Sequence, residues 1–285
     1  MISIFAPFAR ASAIFVAAFG CLIGAAVGSP AHAQARLKAH YTISMTGVSI
    51  GQMVWLIAIG DQRYTTSANG KASGVLSVLV KGEGAIDARG VIVDGRLVPK
   101  SFTSRITDDE GDSELRMSFD DGTVKDLISR APSVGLDRVA VTDADRRGVA
   151  DPLTAMLIPA ADDPLAAANC DRVLPIFDGR RRYDLALSFR RIDTVTIERG
   201  YAGRVLVCGV VLKPIAGYRA DSMLVKYVAG RRDMELWFAP IAGTPVIAPV
   251  RVLMPTLIGT LEIAADQFES LPPLPPAPSP ASPPQ

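Results

Sequence analysis

From residue 35 onward, apolar and polar side chains alternate with a period of two over most of the chain. The alternation is clear in residues 41–46 and again in residues 52–59. Each run stops at a turn rich in Gly and Asp, of which Asp94–Gly95 is the strongest hairpin signal. Short alternating runs separated by such turns predict an antiparallel meander. About a dozen strands exceed what an open sheet holds without curling, so we expect strong curvature.

The middle of the chain has a different pattern. Asp151 precedes Pro152, and Asp163 precedes Pro164, each at the start of an Ala- and Leu-rich stretch. A capping residue followed by proline at the first helical position predicts two short helices. After Cys170 the runs read as strands again, and residues 223–228 are predicted to be one of them. The expected fold is mainly β: a strongly curved antiparallel sheet or open barrel, with one or two short helices packed against its concave side.

The two ends of the chain lie outside this pattern. Residues 11–27 carry no charge and are followed by Ala31-His32-Ala33, which predicts a signal peptide over 1–33 with cleavage after Ala33. An uncleaved anchor and a lipoprotein modified at Cys21 are the rival interpretations. Residues 34–270 then form a single curved β domain. Eight of the 15 residues of 271–285 are proline, which predicts a disordered tail that serves as a spacer or binds a groove of another envelope protein.

Export fixes the expected environment of the mature chain, which we place in the periplasm. Cleavage removes only Arg10 from the 30 basic residues, which leaves 29 basic against 29 acidic side chains. A neutral chain is a poor ligand for nucleic acid, so we expect no nucleic-acid partner. Cys170 and Cys208 are the cysteines that remain, and in an oxidising compartment they predict a disulfide worth about 3–4 kcal/mol by loop entropy.

Few residues of the mature chain suit catalysis. His40 is its one histidine, close to the new N-terminus, which disfavours triads built on histidine and excludes a histidine-rich metal site. A hydrolase that uses carboxylates is one hypothesis for function, and its candidate residues are Asp108, Asp109, Glu110 and Asp112. These lie at a predicted turn, where water keeps carboxylates ionised. We therefore expect no catalytic residue, no metal, no cofactor and a non-enzymatic role.

The segment CDRVLPIFDGRRRYDLALSF, residues 170–189, holds the candidate binding residues Arg180, Arg181, Arg182 and Tyr183. Parity along the strand places Arg181 with Tyr183 on the apolar face, and Arg180 and Arg182 with Asp184 on the other. Arg181 is then expected at the mouth of an apolar cavity, paired with a ligand carboxylate or phosphate. The alternative is a set of hairpin arginines that are solvated or paired with aspartates.

Four blocks of the sequence resemble the DUF3108 domain family of exported bacterial proteins. They are YTISMTGVSIGQMVWLIAI, DPLTAML, the cysteine-containing LPIFDGRRRYDL block and VCGVVLKPIAGY. The resemblance extends over roughly residues 37–266, and FDGRRRYDL is its most specific block. It implies a periplasmic β-rich domain and no reaction, cofactor or active site.

Besides the hydrolase hypothesis, the sequence leaves two non-enzymatic hypotheses open. The first is a non-enzymatic module that binds or carries an apolar, lipid-like molecule of the envelope in a cavity of the curved sheet. The second is a structural or protein-interaction domain whose core is filled. The first requires empty space lined by apolar side chains, so the tertiary structure separates them.

Overall fold

Antiparallel strands make up most of the described chain in a computed structural model of the protein. The structure describes residues 35–73, 82–109, 111–130, 137–160 and 163–272. The predicted signal peptide 1–33 and residues 273–285 of the predicted tail lie outside the described residues, so both stay predictions. All the described residues belong to one unit, His32–Gln285. Within them, no helix is long and apolar enough to cross a membrane.

The first half of the domain is a seven-stranded meander in which each strand pairs with the next. Its strands are β1 Ala35–Met45, β2 Val48–Ile59, β3 Arg63–Ala72, β4 Gly82–Val93, β5 Arg96–Asp108, β6 Gly111–Asp120 and β7 Thr123–Arg130. The predicted Asp94–Gly95 hairpin is confirmed between β4 and β5. Asp94 and Gly95 adopt φ angles of 50° and 72°, which a tight two-residue hairpin turn requires.

The second half contains the helices and a second meander. Its strands are β8 Ile158–Pro159, β9 Val173–Phe177, β10 Arg182–Thr196, β11 Arg199–Gly200, β12 Ala202–Ala216, β13 Met234–Pro240, β14 Val246–Thr256 and β15 Gly259–Leu271. Its α-helices are α1 Pro152–Ala155 and α2 Met223–Gly230, and 3-10 helices cover Ala144–Arg146 and Ala167–Cys170. Strands β9, β10, β12, β13, β14 and β15 pair in that order, while β8 pairs with β14 and β11 with β15.

Pairing of the first strand with the last joins both meanders into one sheet. β1 runs antiparallel to β15 from Arg36–Leu271 to Met45–Leu261, and the sheet ends at β7 on one side and β9 on the other. β15 extends to Leu271, one residue beyond the predicted domain boundary. The predicted fold class is confirmed: the sheet is large, antiparallel and strongly curved, and within the described residues it is not closed.

The connection between β7 and β9 bridges the two edges of the sheet. Val149 donates its N–H to the carbonyl of Gly122, beside β7, at 2.8 Å, and Ala150 exchanges hydrogen bonds with β9 through Pro175 and Phe177. The next segment packs into the sheet, with Leu153 buried in the inner core. The edges therefore approach each other through one strip of connecting chain.

Two hydrophobic cores lie on the two faces of the sheet. The inner core, inside the curl, combines buried residues of the first meander with Leu153 of α1 and with Val205 and Val207 of β12. The outer core covers the other face of the second meander and includes Leu206 and Cys208. Strand β12 is therefore buried on both sides. Much of the inside of the curl is packed with side chains, but an apolar hollow of about 380 Å³ remains on the inner face of the first meander, lined in part by Met53, Ala68 and Ile86.

The helices differ in part from their predictions. Asp151 caps α1 as predicted, since its carboxylate accepts from the backbone N–H groups of Leu153 and Thr154. The second predicted helix is the 3-10 helix Ala167–Cys170, which has no side-chain cap, since Asp163 accepts from the Leu165 N–H ahead of it. Its predicted placement against the concave side is also wrong, because Cys170 is buried in the outer core. The prediction of a strand over residues 223–228 is wrong. These residues lie in α2, where Ser222 caps the Val225 N–H and Val225 and Val228 line the space between the helix and the sheet.

Candidate functional site

A cavity of about 650 Å³ lies on the outer face of the second meander, between α2 and the sheet. Strands β10, β12, β13 and β14 form its floor, and α2 forms its cover. Its apolar lining consists of Leu185, Leu212, Leu224, Val225, Val228, Met234 and Met254. The volume lies within the range of small-molecule sites, and the lining is of the kind that such sites use.

Polar groups gather at one side of this cavity, where the β9–β10 turn meets the chain after β12. Arg181, Tyr183 and Tyr218 line the cavity together with Asp178 and Arg138. The Arg181 guanidinium lies 5.8 Å from the centroid of the Tyr218 ring, a cation–π distance. Arg181 and Tyr183 therefore lie on the same wall as Leu185, and the wall belongs to the outer face of the curl.

The local sequence explains the geometry of the turn. Asp178 accepts the N–H groups of Arg180 and Arg181 at 2.9 and 2.6 Å, and Gly179 adopts a φ of 90°. The turn thus ends at Arg181, and β10 begins at Arg182. An aspartate that satisfies two backbone donors in this way holds the Arg181 side chain at a fixed exit from the turn.

Gly217 fits against that turn. Its φ is 82°, and a Cβ at this position would lie 2.0 Å from the Arg180 carbonyl oxygen. The Gly217 N–H donates to Val139, and Arg138 Nη1 donates to the Gly217 carbonyl at 3.0 Å. The close approach places Tyr218 beside Arg181. In this way the FDGRRRYDL and VCGVVLKPIAGY blocks, which lie apart in sequence, form one corner of the site.

Several donors in this corner have no protein acceptor among the described residues. They are the Arg181 guanidinium, the hydroxyls of Tyr183 and Tyr218, and the buried Nε of Arg138. Burial raises the pKa of Tyr183 well above its usual value, and nearby Asp178 raises it further. Burial also raises the pKa of Tyr218 to about 12. Both hydroxyls are protonated at neutral pH, as tyrosine hydroxyls ordinarily are, and can donate to an anion.

The three arginines of the triplet occupy different environments. Only Arg181 lines the cavity. Arg180 is exposed in the turn, and Arg182 forms an ion pair of 2.5 Å with Asp184 and also donates to the Tyr183 carbonyl. The geometry therefore brings Arg181 and Tyr183 together and separates Arg180 and Arg182 from them. A ligand-binding role for any of the four stays a prediction.

Sequence reasoning missed three parts of this site: Tyr218, Arg138 and α2. A signal for Tyr218 was present, because it ends the VCGVVLKPIAGY block. Ser222 was a capping signal for α2. No sequence pattern predicts that Arg138 lies near the arginine triplet. Arg138 reaches the site through an isolated antiparallel bridge with Arg219 and a hydrogen bond to the Gly217 carbonyl.

The other candidates from the sequence are structural. Cys170 and Cys208 form a disulfide with Cα atoms 5.5 Å apart, both buried in the outer core. Asp108, Asp109 and Asp112 lie at the exposed β5–β6 turn, while Glu110 lies outside the described residues. His40 contacts Asp266 at 3.0 Å on the outward face of β1. No group of three His, Cys, Asp or Glu residues in the described ranges could hold a metal ion.

Comparison with family models agrees with the resemblance to DUF3108 that the sequence blocks indicate. A family model described as "Protein of unknown function (DUF3108)" matches residues 40–266. The chain belongs to the DUF3108 family. No curated protein matches it. Among solved structures, this DUF3108 chain is similar to a β-barrel-like protein of the DUF1849 domain of unknown function from Brucella abortus. The identity is 10%, the match covers 84% of this chain and 98% of that one, and the TM-score is 0.44.

Proposed function

We propose that this protein is an exported, periplasmic envelope protein that binds an anionic amphiphile without catalysing a reaction on it. The apolar chain of the amphiphile occupies the cavity beneath α2. Its carboxylate or phosphate meets the corner formed by Arg181, Tyr183 and Tyr218. The observation that carries the proposal is the meeting, in one cavity, of an apolar lining with hydrogen-bond donors that lack protein acceptors.

The donors favour an anion over a neutral head group. The guanidinium is positively charged and can only donate, the two protonated hydroxyls can donate beside it, and an oxyanion accepts several hydrogen bonds at once. Asp178 lies close by, but its Oδ1 already accepts two backbone N–H groups of the turn. Arg219 is engaged by Asp137 at 3.0 Å and by Asp221 at 3.4 Å. Arg138 also lines the corner, where its Nη1 donates to the Gly217 carbonyl, and Arg181 is the arginine of the triplet that faces the cavity.

The alternative, an interaction domain with a filled core, has one observation in its favour. Much of the inside of the curl is packed, and the apolar hollow that remains there, beside Met53, Ala68 and Ile86, is smaller than the cavity beneath α2. The packing of one face leaves the cavity on the other face unexplained, however. We therefore prefer the ligand-binding proposal and treat protein interaction as the second candidate.

Binding of dodecanoate, measured by isothermal titration calorimetry below its micellar concentration, tests the proposal. We expect Arg181→Gln to weaken binding roughly tenfold, since a charge-assisted hydrogen bond to an exposed arginine is lost. Arg180→Gln is the matched control and should bind like the parent protein. Dodecanol should bind more weakly than dodecanoate and should be insensitive to Arg181→Gln.

Two results would overturn the proposal. One is an equal loss of dodecanoate affinity in both arginine variants, which would indicate a general charge effect. The other is native mass spectrometry of the protein from its own periplasm that shows no bound amphiphile, together with no dodecanoate binding in solution.

A further inference from the structure

Four large apolar side chains are exposed in two adjacent pairs at one end of the sheet. Met223 and Leu224, at the start of α2, are 75% and 52% exposed, and Leu257 and Ile258, between β14 and β15, are 52% and 79% exposed. We call these four residues the apolar rim. Single exposed apolar residues are ordinary, whereas paired ones on neighbouring projections indicate an interaction surface.

The two halves of the rim lie beside the same cavity. Helix α2 packs against β14, and both Leu224 and Thr256 line the cavity beneath the helix. Leu257 follows Thr256 directly. The rim therefore lies next to the apolar space in which we place the chain of the amphiphile, and apolar surface continues from outside to inside.

The exposed turn is held in place by its own hydrogen bonds. Thr256 Oγ1 donates to the Gly259 carbonyl at 2.7 Å and accepts the Ile258 N–H at 3.4 Å. Gly259 in turn packs against the Thr46 side chain of the neighbouring β1–β2 turn. Leu257 and Ile258 are thus presented on an ordered projection. A narrow projection can insert into a soft surface, whereas a folded protein partner would need a matching pocket.

Charges near the rim favour an anionic surface. Lys226 lies exposed on α2, and the Arg181 guanidinium has no ion pair within the described part of the chain. The acidic groups nearby are already engaged: Asp137 and Asp221 pair with Arg219, and Asp178 accepts hydrogen bonds within its turn. Basic side chains next to an apolar projection suit the phosphates and acyl boundary of a bilayer.

We infer that the apolar rim docks the domain on the surface of a phospholipid bilayer. Leu257, Ile258, Met223 and Leu224 enter the boundary between head groups and acyl chains, and the cavity then opens at that depth. An anionic amphiphile can pass between bilayer and cavity without its chain crossing water. The choice of a bilayer over a protein partner rests on the proposed function.

Co-sedimentation with vesicles of phosphatidylcholine and phosphatidylglycerol, in a ratio of three to one, tests the inference with the full chain. The wild-type protein should sediment with the vesicles. The double variant Leu257→Ser/Ile258→Ser should lose at least about tenfold in vesicle affinity, because two exposed apolar anchors are removed. Val93→Ser is the matched control: Val93 is 43% exposed next to the Asp94–Gly95 hairpin, at the opposite end of the antiparallel strands, and its loss should change nothing.

A second measurement separates the docking surface from the ligand site. In a dodecanoate titration without vesicles, the double variant should bind with the wild-type affinity. Arg181→Gln should still bind vesicles but should bind dodecanoate more weakly than the wild type. Equal vesicle binding by the wild type and the double variant would refute docking and leave the cavity proposal intact. Concentration-dependent dimerisation that the double variant abolishes, without any vesicle binding, would also refute it and would make the rim an interface between two copies.

Discussion

At the scale of single residues, Asp151 shows how one side chain acquires two functions in the fold. It caps α1, and it also accepts from Thr154 Oγ1 at 2.6 Å, while Thr154 Oγ1 is 2.8 Å from the Tyr64 hydroxyl. The carboxyl is fully buried, and burial raises its pKa to about 6 despite the hydrogen bonds that favour the charged form. Its ionisation is therefore coupled to the stability of the inner core.

The raised pKa of Asp151 predicts a pH dependence of the free energy of unfolding. The folded state holds the proton more tightly than the unfolded state, so the contribution is fully present below about pH 4 and declines until about pH 6. Asp151→Asn should remove this decline. The difference in unfolding free energy between the wild type and Asp151→Asn should fall by up to about 3 kcal/mol from pH 4 to pH 7, measured by urea denaturation.

Asp163→Asn is the control for this prediction. Asp163 also precedes a proline and accepts a backbone N–H at 2.8 Å, but it is exposed. We expect a difference between the wild type and Asp163→Asn that does not change with pH by more than a few tenths of a kcal/mol. A flat difference for Asp151→Asn as well would show that the buried carboxyl stays charged throughout.

At the scale of elements, the β9–β10 turn depends on a glycine that is distant in sequence. Gly217 combines a positive φ with a contact that leaves no room for a Cβ, since the backbone of Arg180 and Arg181 lies against it. Gly243 has a similar φ of 77°, but the nearest atom to a Cβ there would be 4.0 Å away. An alanine at Gly243 would therefore introduce backbone strain alone, whereas an alanine at Gly217 would introduce backbone strain and a steric clash.

Gly217→Ala should destabilise the protein more than Gly243→Ala. Each substitution introduces strain at positive φ of about 1 kcal/mol, and Gly217→Ala adds overpacking of roughly 1–3 kcal/mol. Chemical denaturation of both variants measures the difference. Equal losses would mean that the turn moves away from Gly217 without cost.

Helix α2 shows why elements of this size are hard to predict. Residues 223–228 form a short apolar run, and such a run does not distinguish a strand from a buried helix by its period. The Ser222 cap favours the helix locally. Packing over Leu212 and Met254 decides the matter, because a helix there covers the outer face of the sheet and a further strand would not.

At the scale of the whole molecule, the sheet consists of two meanders joined by β1 and β15. Strand β12 of the second meander, which has a core on each face, is buried best: Val205, Leu206, Val207 and Cys208 all have a relative exposure of 0%. Strand β7 pairs only with β6 among the described strands and is largely exposed. We therefore expect the local stability of β12 to exceed that of the edge strand β7.

Hydrogen exchange should reveal this inequality. Amides of β12 should exchange slowest, near the rate set by global unfolding, while those of β7 should exchange by local opening. Mass spectrometry of peptides from residues 205–210 and 123–130 gives both rates. Equal protection of β7 and β12 would contradict the edge position of β7.

The sequence alone determined the class of fold and the chemistry of its turns. Alternation with a period of two, Asp–Gly hairpins and the Asp151–Pro152 cap are local signals, and each appears in the structure as predicted. Parity predicted that Arg181 and Arg182 point in different directions, and in the structure they do lie in different environments, although Arg181 belongs to the turn and β10 has a register shift between Arg182 and Tyr183. The four blocks that resemble DUF3108 were sufficient to name the family.

Only the tertiary structure decided where space remains. Alternating strands are compatible with a packed interior or a hollow one, since period fixes which side chains face inward and says nothing of how fully they fill the volume. Here α1 and the strand faces fill much of the inside of the curl and leave a smaller apolar hollow beside Met53 and Ile86, while α2 leaves a larger cavity on the outside. Tyr218, Arg138 and Arg181 come together there through long-range contacts, which no local pattern in the sequence encodes.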